Sequence, residues 1–274
     1  MTDSPAPPGP LRGRVALVTG ANHGIGAATA VHLGALGADV ALGYLRLPPL
    51  GDAGTPDAYD RARAGDAGEV VAAVERAGRR CVAVEADLGD PATPALLLDT
   101  AEERLGPVSI LVNNATGWHQ DTFAAAGTDA FGRAMAPVSA TTFEAQFLVD
   151  ARGGALLMAE LARRLRARGQ RWGRIVALAS GGPGGFPSEV SYGAAKAALA
   201  HYTMSAATEL LLEGITANVV YPPVTDTGWV TETVRRSVDA HHGRVAAPGD
   251  VAEVIGWLCS DAARLVTGNH IRLR

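Results

Sequence analysis

Tyr192 and Lys196 stand four residues apart in Glu189-Val190-Ser191-Tyr192-Gly193-Ala194-Ala195-Lys196, an alanine-rich stretch that predicts a helix. Residues at i and i+4 share a helix face, so phenol and ammonium become neighbours. A phenol ordinarily loses its proton near pH ~10, and an adjacent cation favours the phenolate, which makes the pair a candidate proton-transfer device. Alone, the pair reads equally as an ordinary surface contact, and a second motif is needed. The start of the chain supplies one. Arg14-Val15-Ala16-Leu17-Val18-Thr19 is an apolar, β-branched run, followed by Gly20-Ala21-Asn22-His23-Gly24-Ile25-Gly26 and a helical pattern from Ala27 to Leu36. In such a strand, loop and helix, Gly20 permits a tight turn and Gly24 lets backbone approach a pyrophosphate. Gly26 lets the helix pack close to the strand, and the phosphate rests on the helix N-terminus.

Further strands are predicted at Asp39 to Gly43, Arg80 to Glu85, Ile110 to Asn113, Arg174 to Ala179, Thr216 to Tyr221 and His270 to Leu273, each separated by a helix-length segment. This alternation predicts an α/β fold: a Rossmann-type, doubly wound, mainly parallel seven-stranded sheet with helices on both faces and ligands at the carboxyl ends of the strands. Two segments exceed what that fold requires. Leu47 to Gly68 is rich in Gly, Pro and Asp, and reads equally as a functional loop or a tolerated insertion; Gly117 to Ser139 follows the fourth strand.

The two motifs together resemble the short-chain dehydrogenase/reductase family, whose members pair T-G-x-x-x-G-x-G with Y-x-x-x-K. The resemblance covers nearly the whole chain, with Asp87-Leu88, Asn113-Asn114-Ala115, Ser180 and Pro222 to Thr227 following in family order. More narrowly, Tyr221 to Trp229 is similar to a bacterial subgroup labelled ketoacyl-carrier-protein-reductase-like, from which only the family is carried over. The resemblance implies that Tyr192 is the general acid or base, that Lys196 lowers its pKa and holds the nicotinamide ribose, and that Ser180 hydrogen-bonds the substrate oxygen. It further implies cofactor contacts from Gly20, Asn22, His23, Gly24, Ile25 and Gly26, from Asp87 and Leu88 beside the adenine, and from Asn113, Ala115, Pro222, Val224 and Thr227 on the nicotinamide side. Trp118, His119 and Phe123 are implied substrate contacts, with Trp229 in a lid.

The chain departs from the family pattern in places. Where a catalytic Asn is usual, Val149-Asp150-Ala151-Arg152-Gly153 carries Asp150, either a catalytic residue holding the proton relay or a structural carboxylate paired with Lys196. Thr116 and Pro223 each replace a usual glycine, and Pro223 has no amide hydrogen to donate. The chain ends at Arg274 without the family's paired glycines. After the second strand comes Leu42-Gly43-Tyr44-Leu45-Arg46. Without a carboxylate for the ribose hydroxyls, and with Arg46 near, the pattern favours NADP(H) over NAD(H), although Arg46 also reads as an ordinary loop charge.

A length of 274 residues suits one domain, expected over residues 11–274 after a proline-rich, disordered leader at residues 1–10. A net charge of −4 gives no broad basic field for nucleic acid, and the arginines from Arg163 to Arg174 read as a solvated face. Cys81 and Cys259 lack metal or disulfide spacing and read as buried free thiols. With neither an apolar span of about 18 residues nor a signal peptide, a cytoplasmic location is expected. The resemblance implies a small-molecule carbonyl or alcohol substrate and a homo-dimer or homo-tetramer, and charge and hydropathy lead to the expectation of no nucleic-acid or membrane partner. An NADP(H)-dependent reductase or dehydrogenase is the leading function. A nucleotide-binding regulator or subunit with little turnover, and a lyase or epimerase using the same phenol, stand as alternatives.

Overall fold

In the computed structural model the described residues are 9–51, 53–125, 127–181, 184–241 and 243–274. Seven strands form the central sheet: β1 (Val15–Thr19), β2 (Asp39–Tyr44), β3 (Cys81–Glu85), β4 (Ile110–Asn113), β7 (Gly173–Leu178), β8 (Ile215–Tyr221) and β9 (His270–Arg272). A two-stranded pair, β5 (Asp121–Thr122) and β6 (Ala136–Pro137), lies in the loop after β4. All pairings in the large sheet are parallel, in the order β3-β2-β1-β4-β7-β8-β9. The predicted strands agree with these to within a residue at each end. The chain winds outward in both directions from the β1/β4 junction, and that reversal opens a crevice at the strands' carboxyl ends.

Both faces of the sheet are covered, which is why β1, β4 and β7 read as continuous apolar runs rather than alternating ones. On one face, α1 (Gly24–Ala35), α3 (Gly68–Arg76) and α9 (Pro248–Cys259) place Leu33, Val74 and Ile255 against Val18, Val40 and Val112. On the other, α4 (Thr93–Leu105), α6 (Gly154–Ala167) and α7 (Val190–Glu209) place Leu97, Leu161 and Leu199 against Leu17, Leu111 and Ile175. Successive β1 residues enter opposite cores, as the two-residue strand period requires.

Residues 1–8 of the expected leader lie outside the described residues. Leu11 is buried and its amide donates to Leu36 O at 2.9 Å, so the chain joins the core there. Three further helices are α2 (Asp57–Ala64), α5 (Ala140–Gln146) and α8 (Glu232–His241). The first was read only as part of a long loop. Between α5 and α6 the helix widens to π geometry over Phe147–Gly153. The arginines from Arg163 to Arg174 are not a uniformly solvated face: Arg164 is buried among Asp99, Glu102 and Glu160, and Arg174 is buried beside Asp261. Their charges are met by carboxylates, so a freely hydrated row does not form.

Candidate active site

Tyr192 is the third residue of α7, and the first turn of that helix is held from outside. The buried Asp121 carboxylate of β5 accepts from Ser191 N at 2.8 Å and Ser191 Oγ at 2.5 Å, while Glu189 at the N-cap makes no side-chain cap bond. A carboxylate at a helix N-terminus satisfies an orphan amide and complements the dipole, so the loop after β4 positions the phenol. Sequence reasoning missed Asp121 because nothing local joins it to a helix 70 residues later.

The Ser180 hydroxyl, just beyond β7, lies close enough to the Tyr192 phenol to stabilise its phenolate, and the Tyr192 ring meets Phe186 edge-on at 5.7 Å. Lys196 is 3% exposed, with Nζ 3.4 Å from Ala115 O and 5.9 Å from the Tyr192 ring centre. Its Nζ lies 2.8 Å from Asp150 Oδ1, an ion contact off the hydrogen-bond axis, so that oxygen has a counter-charge but no aligned donor. Asp150 Oδ2 accepts from Thr116 Oγ1 at 3.1 Å and Gly117 N at 2.9 Å. Two departures from the family pattern are therefore one coupled change: the Thr116 hydroxyl satisfies the carboxylate that replaces the usual amide. Asp150 sits in the π-helical stretch, a distortion that often marks functional positions.

Burial first, then the charges of Asp150 and Glu189, push the Tyr192 phenol well above its ordinary value, while the nearby Ser180 hydroxyl pulls the other way. The expected lowering by Lys196 is not the balance found, because the ammonium is paired with Asp150 and the phenol is desolvated.

The glycine loop carries the geometry its spacing predicts. A Cβ at Gly26 would lie 2.1 Å from Gly20 O, and one at Gly24, where φ is +58°, would lie 2.9 Å from Thr227 Cγ2. Asn114 Nδ2 ties the loop down through Thr19 O and Gly20 O, both at 3.0 Å. Above it opens a cleft of about 1160 Å³. Gly20, Asn22, His23, Gly24, Ile25, Asp87, Leu88, Ala115, Pro222, Val224 and Thr227 line this cleft together with Ser180, Tyr192 and Lys196. The bare backbone of the loop and the elongated cleft fit a dinucleotide. Gly26 and Asn113 lie beneath the lining, Asn113 buried with Nδ2 on Gly154 O at 3.3 Å. Asp150 stands behind Lys196.

Arg46 is placed differently from expectation. Its guanidinium is gripped by Glu85, Nε at 2.9 and 3.0 Å from the two carboxylate oxygens, and it does not line the cleft. Phe123 is 82% exposed and also outside the cleft, because the β5/β6 pair turns its loop outward, whereas Trp118, His119 and Trp229 line it. Residues unforeseen from sequence also line it. Tyr59 and Arg63 come from α2, Phe186 from the loop after β7, and Arg133 from the loop after β4. Arg133 pairs with Asp129 at 2.7 Å and Glu189 at 3.2 Å and lies 5.4 to 5.7 Å from the rings of Trp229, Trp118 and Phe131.

His23 makes a testable contribution to stability. Burial, with the Arg63 charge second, lowers its pKa from 6.5 to about 4. The unfolded chain then binds more protons between those values, so the stabilisation is present above pH 6.5 and lost as pH falls towards about 4. His23→Gln is expected to flatten that acid-side decline by about 2 kcal/mol, read as the change in urea midpoint between neutral and mildly acid pH.

A doubly wound sheet with a glycine cradle and a Ser, Tyr, Lys constellation in one cleft defines a nucleotide-dependent oxidoreductase. The family model described as enoyl-(acyl carrier protein) reductase matches residues 58–273. An NADPH-dependent aldehyde reductase-like protein, chloroplastic, of Arabidopsis thaliana is 33% identical, covering 97% of this chain and 94% of its own. The cis-4-hydroxycyclohexanecarboxylate dehydrogenase of Sinomonas cyclohexanicum is 34% identical over 93% and 92% of the two chains. The crystal structure of the angucycline C-6 ketoreductase LanV with bound NADP superposes with a TM-score of 0.78 at 30% identity, covering 96% and 95%. The chain belongs to the short-chain dehydrogenase/reductase family.

Proposed function

We propose that the protein is an NADP(H)-dependent carbonyl reductase, reversible as an alcohol dehydrogenase, with Tyr192 as its general acid. The observation that carries this reading is that the Ser180 and Tyr192 hydroxyls and the Lys196 ammonium line the same cleft as the glycine loop. A bound reduced nicotinamide would supply the hydride. Residues Gly20 to Ile25 would hold the pyrophosphate, and Lys196 the nicotinamide ribose. Negative charge then develops on the substrate oxygen, where the Ser180 and Tyr192 hydroxyls stabilise it, and the Tyr192 proton converts it to the alcohol. Because its pKa is raised, Tyr192 enters the reaction protonated at neutral pH, the state an acid in reduction needs. The resulting tyrosinate regains its proton from solvent, with Lys196 and Asp150 adjoining the route.

Trp118, Phe186 and Trp229 give the cleft an aromatic mouth, which supports an apolar or aromatic carbonyl substrate. Exposed Leu156 and Tyr202 on α6 and α7 support association of copies through those helices. No helix of the described residues is long and apolar enough to cross a membrane, and burial raises both free thiols, Cys81 and Cys259, to about 12; we place the enzyme in the cytoplasm. A panel of aldehydes and of aliphatic and aromatic ketones, followed by NADPH oxidation, tests the proposal: turnover of at least one class is expected. Tight NADPH binding with no turnover across the panel would replace it with the nucleotide-binding regulator or subunit.

A further inference from the structure

The segment after β2 builds one wall of the cleft. Leu47 N donates to Arg63 O at 3.1 Å, and Asn22 Nδ2 donates to Gly65 O at 3.0 Å, so the end of α2 is pinned between the β2 terminus and the glycine loop. One turn earlier, Tyr59 backs onto the loop after β8, where a Cβ at Gly228 would lie 3.5 Å from Tyr59 Cα. The helix thus runs along the crevice, and its Arg63 end lies where the fold rests the adenosine ribose.

Arg63 is 7% exposed, yet among the described residues it forms no ion pair, and its buried Nη1 has no hydrogen-bond acceptor. Its guanidinium sits 5.8 Å from the Tyr59 ring centre. The His23 ring meets the same Tyr59 ring edge-on at 5.9 Å, and His23 Nδ1 is likewise buried and unpartnered. Neighbouring carboxylates are used elsewhere: Asp60 accepts from Leu50 N and Gly51 N, and Asp66 from Gly68 N. A buried cation without a counter-charge is costly, so this arrangement calls for an anion from outside the chain. Arg46, the obvious cation from sequence, already has its anion in Glu85.

We propose that Arg63, on the inserted helix and not at the end of β2, takes the 2′-phosphate of NADP(H), with the His23 ring beside it. This rests on the cofactor reading above. A guanidinium fork matches phosphate oxygens, and both orphaned nitrogens then gain partners. The pyrophosphate, by contrast, is left to the amides of the glycine loop and the N-terminus of α1.

The test is fluorescence titration of Arg63→Gln, Arg63→Lys and Arg46→Gln with NADPH and NADH, plus competition by adenosine 2′,5′-bisphosphate against AMP, with thermal melts confirming that each variant folds. Arg63→Gln is expected to weaken NADPH and the bisphosphate by roughly 10- to 100-fold, the worth of a charge-assisted pair, with NADH and AMP within about threefold. Arg63→Lys keeps the charge and recovers part of the loss, and Arg46→Gln retains the NADPH preference. Equal weakening of both nucleotides by Arg63→Gln would assign Arg63 to the pyrophosphate or to structure, and collapse of discrimination in Arg46→Gln alone would return the role to Arg46; either overturns the proposal. A wild-type chain that binds neither nucleotide would instead overturn the cofactor reading beneath it.

Discussion

Tyr192→Phe is expected to lower kcat/KM for carbonyl reduction by on the order of 10³-fold while leaving the NADPH dissociation constant within about threefold. The substitution deletes one hydroxyl and keeps the ring that packs against Phe186 at 5.7 Å, so folding and the α7 turn fixed by Asp121 are preserved. What is lost is the proton donor to the developing alkoxide. Steady-state kinetics with the best substrate of the panel, paired with an NADPH titration, separates the two effects. A Phe variant with wild-type turnover would show that another group supplies the proton.

The second large effect concerns Asp150. Asp150→Ala leaves the Lys196 ammonium buried without its counter-charge and deprives Thr116 Oγ1 and Gly117 N of their acceptor. Breaking one side of a buried pair costs about 3–5 kcal/mol, so urea denaturation is expected to show a loss of that order. Asp150→Asn removes the charge and keeps one acceptor oxygen for Thr116 Oγ1 and Gly117 N, with an NH2 group in place of the other, so a smaller loss than in Asp150→Ala is expected. Its signature lies in the pH profile of reduction. Asp150 is, after burial, the leading cause of the raised Tyr192 pKa; without its charge the phenolate is less disfavoured and the pKa falls. Reduction requires the phenol, so its rate should begin to decline at a lower pH than in the wild type. A profile that stays fixed while stability falls would make Asp150 a structural carboxylate only.

Much of the fold was legible because its signals are local. Seven runs, each separated by helix-length segments, were enough to place β1 to β4 and β7 to β9 within a residue at each end; β1, β2, β4, β7 and β8 are buried along nearly their whole length, and a strand buried on both faces has little alternative composition. The glycine spacing was legible for the same reason. A Cβ at Gly26 would strike Gly20 O whatever lies farther off in the chain, because both belong to one turn. Tyr192 and Lys196 needed only a helix to become neighbours.

Other features depend on which distant segments meet. Arg46 and Glu85 are 39 residues apart, and only the β2/β3 pairing reveals that the expected phosphate ligand already holds a carboxylate. Thr116 and Asp150 each read as an isolated departure from the family until the folded chain brought them to 3.1 Å. The segment from Leu47 to Gly68, ambiguous from composition, becomes a cleft wall because Asn22 and Leu47 pin α2 there. The sequence alone determined the class of fold, the order of its motifs along the chain and the residue types available for hydride chemistry, because propensity, periodicity and glycine sterics act over a few residues. The tertiary structure alone decided which charges are already satisfied and which are left waiting, because a counter-charge can come from any part of the chain and its effect depends on distance and burial.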